Sequence, residues 1–337
     1  MRTEIGVVAA AAAALVASVV ALPAVARAES GTAPLHGSVL VAAPARGATS
    51  QDAGAPAATA QVADVTTAGS LQAQVSPTDG STVGVGMPVS VTFDRPVTNE
   101  RAVAAAIQVS SSSGQPVVGH WFGPTRLDFR PQHYWKAGSD VTVKLRTAGV
   151  TAGPGLTGPQ DETARFKVGR SQVSTVDVRT KTMTVVRDGK DIATFPVSAG
   201  APSTPTYDGQ MVISQKLRQT RMNGASVGFT GPDGKPSYDI PDVPHALRLS
   251  SSGTFLHGNY WAANSVFGQQ NTSHGCIGLR DVRGGWDAIT PAAWFYDHSL
   301  VGDVVVVEHS GGRTIDPANG LGDWNLPWQS WIRGSTP

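Results

Sequence analysis

Asn271-Thr272-Ser273-His274-Gly275-Cys276-Ile277-Gly278-Leu279 holds the only cysteine of the 337 residues. A thiol with an ordinary pKa of ~8.5 stays mostly protonated near neutral pH, so a nucleophilic cysteine needs a base. Imidazole is a suitable base, and two stand near: His274, two positions before Cys276, and His257, 19 positions before it. Residues two apart in extended backbone share a side, which brings His274 within reach of the thiol. His257 follows the apolar run Thr254-Phe255-Leu256 and precedes Gly258 and Asn259, so a strand end beside glycine presents its ring to a cleft. The Gly258 carbonyl is a candidate for the oxygen that orients that ring. Gly275 and Gly278 open the backbone to a ligand, and amides near Gly275 and Cys276 are candidate oxyanion donors. A buried, inert thiol is the plain alternative. The polar neighbours Ser273 and His274, and the lack of a disulfide partner, favour the nucleophile. His257, His274 and Cys276 are zinc-ligand types, but no fourth ligand is evident, so neither metal nor cofactor is expected.

Working outward, the chain is mainly β. Thr182–Arg187 runs into Asp188-Gly189, a hairpin turn signal, and Ile192–Val197 returns. Met211-Val212-Ile213 is a further strand, and Val304–Val307 is a continuous apolar run that fits a buried one. Trp286–His298 is the one plausible helix. Residues 171–310 thus form a β-rich domain with one or two short helices. Upstream, residues 71–169 alternate apolar and polar positions, as in Val89–Phe93, Thr125–Phe129 and Val141–Leu145. About seven short strands in such a span fit an Ig-like sandwich, though without the Cys…Trp…Cys core. Trp121, Tyr134 and Trp135 are expected in its core rather than on a sugar-binding face. Residues 29–70, rich in Ala, Gly, Pro, Ser and Thr, read as a flexible linker. Residues 1–28 read as an export signal ending in Ala26-Arg27-Ala28, or as an uncleaved anchor, the one expected membrane contact. The Trp-rich tail, residues 311–337, is expected to pack on the 171–310 domain rather than expose Trp324, Trp328 and Trp331.

Charged residues are 15% of the chain and the formal net charge is +1, which gives no electrostatic case for nucleic acid. A non-catalytic wall-binding module leaves the Cys276 and His257 arrangement unexplained.

Taken together, His257, the 15 intervening residues and Ser273-His274-Gly275-Cys276 resemble the L,D-transpeptidases with a YkuD catalytic domain. Trp294–His298 and Gly320–Trp328 are similar to the actinobacterial members with a preceding Ig-like domain, so the resemblance covers most of the chain from Leu71 onward. It implies a YkuD-type fold and an exported cell-envelope enzyme acting on peptidoglycan stem peptides. Cys276 is then the nucleophile that expels a terminal D-Ala from a donor tetrapeptide. An acceptor amine next resolves the thioacyl-enzyme into a 3→3 cross-link, and carbapenem β-lactams acylate the same thiol. His257 is implied as base and acid, held by the backbone at Gly258, with Ser273, His274 and Gly275 in support. Tyr238, Met222, Ser252, Gly253, Asn271, Thr272 and Gly278 are implied against substrate. An L,D-carboxypeptidase passing the acyl group to water uses the same residues. Two positions depart from the family pattern. Gly278 stands where Asn or Arg is usual, so that role passes to a neighbour such as Arg280 or is lost. Gly258 stands where Ser is frequent, a harmless change if only its carbonyl matters. Trp261, Asn264 and Gln269 in the intervening loop are candidates for setting acceptor choice.

Overall fold

A computed structural model describes residues 69–159 and 161–335. The expected signal and all but the end of the expected linker lie outside them. The fold is mainly β, as the alternation predicts.

The first domain is a sandwich of two four-stranded sheets. One orders Thr82–Val83, Glu162–Val168, Asp140–Leu145 and Ile107–Ser111; the other orders Ala73–Ser76, Val89–Phe93, Arg126–Arg130 and Val118–Trp121. Alternate residues of each strand meet between them, with Val89, Val91, Leu127, Val141, Val143 and Leu145 fully buried or nearly so. Trp121 and Trp135 lie in this core. Gly69–Ser70, at the end of the expected linker, pairs in parallel with Leu156–Thr157.

The second domain is built on one nine-stranded curled sheet. Its order is Gly209–Val212, Val304–Glu308, Gln172–Asp177, Thr182–Arg187, Lys190–Ser198, Ile277–Arg280, Phe255–Asn259, Asp239–Arg248, Gln215–Asn223. Asp188 and Gly189 take φ of 50° and 78°, the left-handed pair that a tight hairpin turn requires. Val304 and Val305 are fully buried in the strand expected there. The arrangement that matters most is a parallel pair: Phe255–Asn259 beside Ile277–Arg280, with His257 opposite Gly278. That register sets the strand carrying His257 beside the segment that leads out of Cys276.

The helix is shorter than expected. It spans Pro291–His298, and Trp286 is left 77% exposed. Gly284 and Gly285, with φ of 81° and 61°, turn the chain just before Trp286, and Thr290 stays extended ahead of Pro291 with ψ of 151°, so no helix runs from Trp286 into Pro291. Thr290 then caps the helix, its hydroxyl accepting from Ala293 N–H at 3.2 Å, and Pro291 opens the first turn where no N–H is needed.

The tail corrects its expectation too. Trp324 packs on Val212 and Val304 of the second domain, but its indole N–H donates to Gly86 O at 2.7 Å. Trp331 lies on the Ig-like domain, with its ring 4.8 Å from that of His120 and its N–H donating to Val118 O at 3.0 Å. The buried Arg130 guanidinium sits over the rings of Trp324, Trp328 and Trp331 at 4.7, 5.4 and 4.2 Å. Desolvation lowers its pKa to about 10. The tail is therefore shared between both domains, because a buried cation in the sandwich needs those aromatic faces.

Candidate active site

Cys276 follows a turn that only glycine closes without strain: Gly275 has φ of 115°. Ser273 Oγ donates to Cys276 O at 2.6 Å and accepts from Gly275 N–H at 3.0 Å, bracing the turn on both sides. Gly275 N–H is thus committed, which removes it as a resting oxyanion donor. Cys276 N–H makes no turn or loop hydrogen bond among the described residues. The thiol donates to Gly253 O at 3.7 Å, and burial pushes its pKa up to about 11.

The other half of the site is His257, on the neighbouring strand and 4% exposed. Its Nδ1 is 2.9 Å from Gly258 O. A carbonyl only accepts, so Nδ1 carries the proton and Nε2 the lone pair. Desolvation lowers the imidazole pKa, keeping the ring neutral and basic at neutral pH.

Two cavities meet at the thiol. The larger, about 500 Å³, contains Tyr207, Phe229, Ser252, Gly253 and Arg313 among its walls. The smaller, about 180 Å³, is walled by Met222, His257, Asn259, Trp261, Thr272 and Gly278 among others. Tyr238, His274 and Cys276 line both. The paired ends of Gln215–Asn223 and Asp239–Arg248 form a flap that walls this junction through Met222, Ile240 and the adjoining Tyr238. The Tyr238 and Phe229 rings stand 4.9 and 5.2 Å from the His274 ring. The structure therefore packs His274 among flap aromatics.

Asn271 departs from its expected place against substrate. Its Oδ1 accepts from Ala199 N–H and its Nδ2 donates to Val178 O, both at 3.0 Å, and it lines neither cavity. The amide is spent on holding the loop. The turn at Ser252-Gly253 is braced from the tail, where Asn319 Nδ2 donates to Ser252 Oγ at 2.9 Å.

Sequence reasoning missed three features. Asp281 is buried behind His257 and adds a field that favours the imidazolium. Its carboxylate accepts from His245 Nδ1 at 2.8 Å, Thr290 Oγ at 3.0 Å and Val282 N–H at 2.8 Å. A Cβ on Gly258 would lie 2.0 Å from Asp281 Oδ2, so the glycine is required here and not merely tolerated. Asn259 fills the space of the missing residue-278 side chain: a Cβ on Gly278 would be 3.3 Å from Asn259 Nδ2 and 3.4 Å from its Cβ. Arg280, the neighbour expected in that role, lines neither cavity. Lastly, the tail contributes cavity wall through Gly311, Gly312 and Arg313. No spacing pattern flags any of these.

Residues 44–151 match a bacterial Ig domain and residues 171–307 match the L,D-transpeptidase catalytic domain. L,D-transpeptidase 1 of Mycobacterium tuberculosis (strain ATCC 25618 / H37Rv) is 32% identical over 235 residues, 70% of this chain and 84% of that protein. The chain belongs to the L,D-transpeptidase family. L,D-transpeptidase 2 of Mycobacterium tuberculosis (strain CDC 1551 / Oshkosh) is 35% identical over 77% of this chain, which spans 61% of that relative's length. Among solved structures, LD transpeptidase LdtMt1 in complex with imipenem superposes with a TM-score of 0.58 at 31% identity, covering 69% of this chain and 97% of that one. L,D-transpeptidase 3 from Mycobacterium tuberculosis in complex with a faropenem-derived adduct gives a TM-score of 0.54 at 30% identity, covering 70% and 97%. No helix among the described residues of this L,D-transpeptidase is long and apolar enough to cross a membrane.

Proposed function

We propose that this L,D-transpeptidase is a cysteine acyltransferase of the cell envelope that forms 3→3 peptidoglycan cross-links. One observation carries the reading: a neutral imidazole, its tautomer fixed by Gly258, lines the same cavity as the single thiol. The two pKa shifts favour a neutral thiol and neutral imidazole at rest, so proton transfer accompanies attack and does not precede it. Cys276 Sγ bonds to the diaminopimelyl carbonyl of a donor tetrapeptide while its proton passes to His257 Nε2. The oxyanion is stabilised by Cys276 N–H, which has no hydrogen-bond partner in its turn among the described residues. Collapse breaks the C–N bond, and His257 returns the proton to the departing D-Ala amine. An acceptor amine then attacks the thioester, its proton goes to His257, and the C–S bond breaks to restore the thiol. Carbapenems acylate the same sulfur by opening their lactam, consistent with the relatives solved with imipenem and with a faropenem-derived adduct. The substrate places the enzyme outside the cytoplasm.

Incubation with a tetrapeptide-stem muropeptide, followed by mass spectrometry, tests the reading. A dimer lacking one D-Ala, absent with Cys276→Ala, supports it. Tripeptide alone assigns an L,D-carboxypeptidase instead, and unchanged stem refutes acyl transfer on this substrate. Meropenem is expected to add its mass to the native chain and not to Cys276→Ala.

A further inference from the structure

The larger cavity holds one permanently charged side chain, Arg313, and no carboxylate among its lining residues. The guanidinium lies over the Tyr207 ring, 5.3 Å from its centre, and its Nη2 donates to Tyr207 Oη at 3.3 Å. Its backbone is fixed as well: Arg313 O accepts from Asp208 N–H at 3.1 Å, and Ser310 Oγ ties the preceding turn to Thr206 O at 2.6 Å. Arg313 takes part in no ion pair within 4.0 Å among the described residues. A guanidinium carries five N–H donors in a flat fork, and one is engaged here. The rest are oriented by a ring face and a hydroxyl, at the mouth of a cavity that ends at the nucleophile. Such a fork matches a carboxylate's two oxygens.

We propose that Arg313 binds a free carboxylate on one of the two residues that flank the scissile bond of the acyl-donor stem, fixing the stem's direction in the larger cavity. The proposal deepens the acyltransferase reading and rests on it for the identity of the donor. On the two residues that flank the scissile bond, two carboxylates share this chemistry: that of the terminal D-Ala and that at the diaminopimelyl side-chain end. The first leaves with the product; the second stays with the thioester.

Equilibrium binding to the full chain carrying Cys276→Ala separates these cases, because it needs no turnover. Three stems are compared: the free acid, the terminal amide and the side-chain amide. Adding Arg313→Ala is expected to weaken the free-acid stem about tenfold, the worth of one charge-assisted contact. Arg313→Lys is expected to recover part of the loss. One amide is expected to bind about tenfold less well to the Arg313 chain and to be indifferent to Arg313→Ala, which names the carboxylate. Equal affinity of all three stems for the Arg313 chain overturns the proposal, and that arm requires no substitution at 313. So does a loss with Arg313→Ala that is the same for every stem. Carboxylate-dependent binding without turnover by the native chain sinks the acyltransfer reading and leaves Arg313 standing. Turnover with no carboxylate dependence does the reverse.

Discussion

Asp281 Oδ2 occupies the space that a side chain on Gly258 would take, 2.0 Å from where its Cβ would be. The glycine whose carbonyl holds His257 and the acid behind His257 are thus fitted to each other. Gly258→Ser forces one of them to move. We predict a loss of about 3 kcal/mol or more in stability, with activity falling because the carbonyl that fixes the imidazole shifts. Asp281→Ala in the same chain makes room, so the double variant should melt higher than Gly258→Ser alone. Simple addition of the two losses in thermal melts would sink this account.

Asn259 and Gly278 form a second fitted pair. Gly278→Asn is expected to lower activity, since the new side chain meets Asn259 at 3.3 to 3.4 Å. Asn259→Ala is also expected to cost activity, about tenfold in kcat/KM for the loss of one polar contact in the cleft. Combining them should recover activity above either single variant. Kinetics on all four chains decide it, and strictly multiplicative losses would show that the pair does not share one role.

The thiol offers a pH test. Burial raises Cys276 to about 11, so alkylation by iodoacetamide should still be climbing at pH 9 to 10, where a free thiol has levelled off. Enzymatic kcat/KM should behave differently, because His257 takes the proton during attack. Its acid limb is set by an imidazole lowered from 6.5 by burial, so activity should persist below pH 6.5 before it falls. An alkylation rate that plateaus near pH 8 would contradict the neutral resting pair.

A fourth prediction concerns the tail. Asp323 and Asp128 are buried together beside Arg126, and each keeps an unpartnered oxygen. Burial and the Asp128 charge raise Asp323 well above 3.8. The native state therefore favours the protonated acid. This stability is complete below the unfolded value and is lost as pH rises through the folded one. Asp323→Asn should gain in melting temperature relative to the native chain as pH increases from 4 to 9. A constant difference across that range would remove the proton from the account.

The elements legible in the sequence are those written locally. Asp188-Gly189 announces its turn because two left-handed residues suffice to make it, and Val304–Val307 announces a buried strand by its own composition. The cluster around Cys276 is legible because its turn is four residues long and glycine-bounded. What was illegible depends on chain returning from a distance. Asp281 and Asn259 reach the site only through the parallel register of two strands, and Arg313 only because the tail folds back past Tyr207. Asn271 shows the converse: a polar residue beside the nucleophile whose amide is consumed by Ala199 and Val178. The helix starts five residues later than its hydrophobic stretch suggests, because Thr290 is held extended ahead of Pro291 and caps the first turn there.

The hydrogen bond from the Cys276 thiol to the Gly253 carbonyl has a consequence for survival of the sulfur. Peroxide oxidation and disulfide exchange both act on the thiolate, and a thiol held protonated at a carbonyl presents little of it. The enzyme is expected to resist inactivation by hydrogen peroxide and by oxidised glutathione while remaining open to a strained lactam. Its selectivity toward electrophiles then lies in the proton: only a carbonyl seated where His257 can collect that proton releases the nucleophile.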